Sequence, residues 1–229
     1  MSNWSFLFIA MEDSFRWFPV LDSSDDSVED DLGVSSGILE DSSCMGWIVP
    51  KNFCDDARKS MDIQNAGGNS ALSEACSIQY FYDLGYSNFV YEANVIYKST
   101  SYKLVDFVAD APQKYESKYP ELVKEDRERV GISVTRACDY GRGFNPTDLL
   151  YKKIKGLIGA RNNATSSCKF YRSILHIWCS SHEIMQKINE TYGKMLECNT
   201  FDTPDLKGSL KVVTTYSTDR RIYKNLPVQ

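Results

Sequence analysis

Residues 130–137 constrain this 229-residue chain more than any other stretch. Val130, Ile132 and Val134 alternate there with Gly131, Ser133 and Thr135, ahead of Arg136 and Ala137. A period of two puts the two sets on opposite faces of a strand. The β-branched content favours a strand, and the charged run at 124–129 marks its entry from a solvated loop. With one face apolar and the other carrying only glycine and hydroxyls, both faces are expected to be covered. That is the pattern of a central strand in an α/β sheet.

Upstream, Ala66, Gly67, Gly68, Asn69 and Ser70 form a turn into a helix that Ser70 or Asn69 can cap. The helix is expected to run through Cys76, Ile78 and Phe81 to a stop near Gly85. Glu74 falls in its first turn, where a surface acid offsets the helix dipole. Two strand-like runs follow, 89–97 and 102–109, joined as a hairpin across 98–101. In the second, Leu104, Asp106 and Val108 share one face, and Lys103, Val105, Phe107 and Ala109 share the other. A buried carboxylate costs several kcal/mol unless it is paired, hydrogen-bonded or metal-bound, so Asp106 needs a reason to be there. Residues 112–129 read as a charged loop.

Downstream, Asn145, Pro146 and Asp148 make a strong helix start. Over 148–159, Leu149, Leu150, Ile154, Leu157 and Ile158 form an apolar arc about 180° wide. Lys152 and Lys155 lie outside the arc. Lys153 lies inside it and points toward the sheet, where a lysine either snorkels out or has a task. Residues 173–179 read as a strand apolar on both faces apart from His176. No second His or Cys has ligand spacing to it, so a hydrogen-bonded core histidine is expected. Ser180 or Ser181 caps a helix whose core stripe is Ile184, Met185, Ile188, Tyr192, Met195 and Leu196. Residues 210–216 alternate as a last strand, and the basic tail after Asp219 is expected to be loose.

The net charge of −5 is uneven. Residues 1–62 hold 13 acids and 4 bases, whereas 63–229 hold 18 acids and 22 bases. An acidic leader over 1–62, disordered across 22–41, is therefore expected ahead of one domain over 63–229. Within the leader, 4–8 and 15–20 are aromatic enough to dock, and 45–49 is a short apolar run suited to an edge strand. The seven cysteines show no CxxC pair and sit in apolar runs, the usage of a reducing compartment. The apolar patch at 6–11 has no basic lead-in and is too short to span a bilayer. A cytoplasmic or nuclear chain without a membrane segment is expected, with the three sequons at Asn3, Asn163 and Asn189 arising by chance. P-loop, GxGxxG, GxSxG and HExxH patterns are absent.

The order helix, strand, strand, strand, helix, strand, helix, strand, with Glu74 on the first helix and Asp106 on the second strand, resembles the PD-(D/E)XK, or restriction-endonuclease-like, nuclease superfamily. The resemblance covers about residues 66–198. It implies a mixed central sheet with helices on both faces, and a site where those two acids meet an acid-x-Lys pair on the third strand around Mg²⁺. Carboxylates hold the hard cation, and the lysine orients or activates water. Glu74 and Asp106 would be the metal ligands. The third strand departs from the pattern, because Ser133-Val134-Thr135 or Val134-Thr135-Arg136 stands where acid-x-Lys belongs. Ser and Thr are neutral, weak ligands, and Arg stays protonated.

Three readings follow. The site is degenerate and the domain binds a nucleic acid or a protein partner without cleaving it, needing no cofactor. Alternatively, Lys153 has taken over the lysine's role, and Glu74, Asp106, Lys153 and Thr135 form an active Mg²⁺-dependent nuclease. The third reading is an α/β protein-interaction scaffold. Arg136, Arg142, Lys152, Lys155 and Arg161 are expected along a rim that would hold a phosphate backbone. The stretches around Gly67–Ala75 and Val134–Ala137 are also similar to a eukaryotic family without an assigned activity, which supports the domain limits alone.

Overall fold

A computed structural model describes residues 17–19, 39–44, 48–63, 70–99, 105–112, 129–139, 143–198, 200 and 209–224. Its strands are β1 (Trp17–Pro19), β2 (Leu39–Cys44), β3 (Ser87–Tyr91), β4 (Phe107–Asp110), β5 (Arg129–Ala137), β6 (Arg172–Cys179) and β7 (Leu210–Ser217). The helices are α1 (Asp55–Asp62), α2 (Ala71–Asp83), α3 (Pro146–Asn163) and α4 (His182–Glu197). All seven strands join one mixed sheet in the order β1-β2-β7-β6-β5-β4-β3. β5 lies inside it, antiparallel to β4 and parallel to β6, with Ile132 opposite Phe107 and Val134 opposite His176.

The alternation in β5 divides the core as expected. Val130, Ile132 and Val134 join Leu72, Ala75, Cys76 and Ile78 of α2, with Trp178 of β6 beneath them. The opposite layer joins Leu150, Ile154 and Leu157 of α3 with Ile184, Met185 and Ile188 of α4. Helices therefore cover both faces of an α/β sheet. On the α3 side, a Cβ at Gly131 would overlap the Phe170 ring, which fixes glycine at that position. The helix starts follow their caps: Asn145 Oδ1 accepts from the Asp148 N–H at 3.2 Å, and Ser181 Oγ from the Ile184 N–H at 3.2 Å. α3 continues past Gly159 to Asn163, because Ala160 and Asn163 extend its buried stripe.

Several expectations change. β3 stops at Tyr91, and residues 92–94 turn as a 3-10 helix, so the run 89–97 is only partly strand. Asp106 lies at a bend just before β4, outside the strand. The bend breaks the alternation counted across it: Val105 belongs to the α3 layer, whereas Phe107 belongs to the α2 layer.

The domain boundary at 62/63 is also corrected. Ile48, Phe53 and Ala57 are 0%, 3% and 0% exposed, in the same core as α2. The Cys54 N–H donates to Gln79 Oε1 at 2.6 Å, tying this segment to α2. β2 pairs in parallel with β7 from Leu39↔Val212 to Cys44↔Ser217, so strand structure begins within the stretch expected to be disordered. Of the expected edge run 45–49, residues 48 and 49 lead into a 3-10 turn instead, and 22–38 and 45–47 lie outside the described residues. The basic tail is not loose where it is described. Residues 220–223 form a 3-10 turn with Ile222 and Tyr223 buried, and the Tyr223 hydroxyl donates to the Cys179 carbonyl at 2.5 Å.

Candidate functional site

Asp106 and Lys153 meet at the backbone of one residue, Val134. Where β4 begins its ladder with β5, the Asp106 N–H donates to the Ile132 carbonyl at 2.9 Å. Two residues further along β5, no strand residue of β4 remains opposite Val134. Side chains take over from the ladder there. Asp106 Oδ2 accepts from the Val134 N–H at 2.6 Å and from Ser133 Oγ at 3.0 Å. Lys153 Nζ reaches down from α3 and donates to the Val134 carbonyl at 3.1 Å. Both polar groups of Val134 are thus satisfied by charged side chains, which spares the backbone the cost of going unpaired.

Asp106 remains an expensive group. Burial pushes its carboxyl up; the Lys153 charge, the Val134 N–H and the Ser133 hydroxyl oppose that without cancelling it. Glu92, in the 3-10 turn after β3, lies beside it, with the Glu92 N–H donating to the Asp106 carbonyl at 2.9 Å. Burial, and then the like charge of Asp106, push the Glu92 carboxyl up, while Lys153 pulls it back. Tyr97 lies near both acids: its oxygen accepts from the Val105 N–H at 3.0 Å, and burial pushes its phenol up to about 12. Glu92 and Tyr97 escape a sequence reading because both sit in a run that scans as strand. The signal available was an acid three residues after a buried aromatic, Phe89 at 8% exposure, and that is too weak to place it.

The structure brings together part of the expected set. Asp106 and Lys153 converge on Val134, joined by Ser133, which is not among the expected site residues, and Thr135 shares the Ser133 face of β5. Glu74 does not join them. It belongs to α2, on the other side of the sheet, where it is buried and accepts a hydrogen bond from Ser70 Oγ. The surface-acid reading of Glu74 is corrected as well. Among the described residues no group of three or more His, Cys, Asp or Glu side chains is placed to share a metal ion. Asp106 Oδ2 is committed to β5 and Glu74 lies across the sheet, so among the described residues these two acids do not form the Mg²⁺-holding pair that the resemblance implies.

The expected basic rim is divided too. Lys152 and Lys155 are exposed on α3, Lys155 over the Tyr151 ring at 5.8 Å. Arg136 extends to the α2 side, where Nη1 donates to the Ile222 carbonyl at 3.4 Å. Arg161 sits near the far end of α3, donating to Ser209 Oγ at 2.5 Å and to the Tyr171 carbonyl at 3.4 Å. Arg142 lies outside the described residues. The strand's alternation explains the split, since Arg136 falls on the same face as Val134 and not on that of Thr135. His176 is the core histidine expected: Nε2 bonds with Thr215 Oγ1 at 2.8 Å, and burial pushes its pKa down to about 3, so it stays neutral.

Comparison with protein-family models, with curated proteins and with solved structures gives no match. Among the described residues, no helix is long and apolar enough to cross a membrane.

Proposed function

We propose that this chain is a nuclease-like α/β module that binds nucleic acid without hydrolysing it. The reading rests on the element order α2, β3, β4, β5, α3, β6, α4, β7, which runs as the resemblance to the PD-(D/E)XK superfamily requires. Fold alone assigns no activity, so the site has to carry the argument.

The observation that carries it is the double grip on Val134. Metal-assisted hydrolysis needs carboxylates that face a hard cation and a lysine that faces water. Here the carboxylate and the lysine both stand in for missing ladder bonds, and the acid-x-Lys position on β5 is occupied by neutral hydroxyls. What the site offers is a fixed strand end. The surplus of bases over acids in residues 63–229 favours a polyanion as the ligand.

The test is to incubate the full chain with labelled single- and double-stranded DNA and RNA, with Mg²⁺ or Mn²⁺ present. Binding to at least one of them without any cleavage product is the expected result. Metal-dependent cleavage that disappears in Asp106→Asn would show the site to be an enzyme's. Failure to bind any of the four would leave the protein-partner scaffold as the surviving reading.

A further inference from the structure

The far end of α3 gathers cations that no carboxylate among the described residues answers. Lys98, Arg161 and Lys169 line a groove of about 760 Å³, together with Asn162, Ser166 and Tyr171. None of the described residues that line it is acidic. Among the described residues, none of the three cations makes an ion pair. Three like charges on one concave wall raise the local potential and draw in an anion.

The groove is also rigidly made. The Lys98 N–H donates to the Asn163 carbonyl at 2.8 Å, and the Thr165 N–H to the Ile96 carbonyl at 3.0 Å. These bonds fix the segment that carries Lys98 against the end of α3. Arg161 is oriented by Ser209 Oγ and the Tyr171 carbonyl, both neutral partners. Tyr171 is 62% exposed, an unusual place for a large aromatic ring, and Lys169 Nζ stands over it at 4.8 Å from the centroid. Cations that follow a backbone beside an exposed aromatic platform are the recognition chemistry of an unpaired strand, because only an unstacked base presents its face to a side chain.

We propose that this groove seats a single-stranded nucleic acid, whose phosphates meet Lys98, Arg161 and Lys169 while one base stacks on Tyr171. The inference deepens the nucleic-acid-binding reading above and rests on it.

Fluorescence anisotropy of the full chain with labelled oligothymidylate, and with a duplex of equal length, tests it at about 50 and about 200 mM salt. Three phosphate contacts on a single strand give a log–log slope of about −2, an affinity loss of roughly 20-fold between those concentrations. Lys98→Glu/Lys169→Glu should abolish binding, and Tyr171→Ala should weaken it by about fivefold or more. Lys152→Glu/Lys155→Glu, on the exposed face of α3, should leave it unchanged. Melting curves establish that each variant is folded. If the groove variants bind like the wild type while Lys152→Glu/Lys155→Glu binds weakly, the ligand lies along α3; the groove is then excluded and the nucleic-acid reading stands. A preference for the duplex also overturns the groove proposal. A wild-type chain that binds neither oligonucleotide overturns both.

Discussion

Asp106, half-buried just before β4, and Asp219, fully buried just after β7, are both acids held within the fold, and they behave in opposite ways. Asp219 is 1% exposed and meets a guanidinium directly. Its carboxylate accepts from Arg221 Nη2 at 2.6 Å, from the Arg221 N–H at 3.0 Å and from the Ile48 N–H at 3.0 Å. Burial pushes its carboxyl up, but the bonds from Arg221 and Ile48 outweigh burial, and the net shift is down. Asp106 accepts one peptide N–H and one hydroxyl, with its cation engaged elsewhere, and the net shift is up. The same residue type therefore holds two distant chain segments together in one place and is held by the surrounding strands in the other. A buried acid stabilises a fold when its charge is answered by direct bonds, and burial alone leaves it a liability.

The largest effect expected from this contrast is at Asp219. Asp219→Ala leaves Arg221 and the Ile48 N–H without their partner and should cost about 3–5 kcal/mol, read from chemical denaturation. A loss under about 1 kcal/mol would break the comparison, because the pair would then be no better than a surface contact.

A smaller loss is expected where packing, not charge, fixes the strand beneath Asp106. Gly131→Ala pushes a methyl group into the Phe170 ring and should destabilise by about 1–3 kcal/mol. Shortening the ring in the same chain, as Phe170→Leu, should recover part of that loss. Additive losses in the double variant would mean that the two positions do not share the space.

The smallest effect is at Asp106 itself. Asp106→Asn keeps an acceptor for the Val134 N–H and removes a charge that burial disfavours, so stability near neutral pH should change by less than about 1 kcal/mol, in the stabilising direction. Its folded pKa is raised, so the folded protein binds the proton more readily than the unfolded chain does. The stabilisation from protonation is fully present below the unfolded carboxylate value and is lost as pH rises through the raised folded value. Glu92 has the same sign. Asp219 has the opposite sign: its contribution is present above the unfolded value and is lost as pH falls through the depressed one. Melting temperatures of wild type and Asp106→Asn, followed downward from neutral pH, should therefore converge. A wild type that melts above Asp106→Asn at neutral pH, and loses that lead on acidification, would mean that Asp106 is a stabilising carboxylate like Asp219.

Local pattern determined a good deal of this molecule. The alternation at 130–137 sets the two faces of β5, the Asn145–Pro146 start and the apolar arc after it turn Lys153 toward the sheet, and the lone His176 on an apolar strand is a neutral core residue. Each of these depends on periodicity or capping, which act over a few residues and are written in the order of the chain. Tertiary structure decided the rest. Glu74 and Asp106 have suitable types and suitable places in the element order, yet α2 and α3 cover opposite faces of the sheet, and a carboxylate cannot act through it. Glu92 reaches Asp106 because β3 ends early and the chain turns. Ile48 is core because Asp219 and Arg221, over 170 residues away, bond to its backbone. The groove at the end of α3 draws Lys98, Arg161 and Lys169 from three separate segments, and their charges add only because the fold sets them on one wall. Pairings of that kind depend on which distant segments the packed sheet brings into contact, and spacing along a sequence carries no record of it.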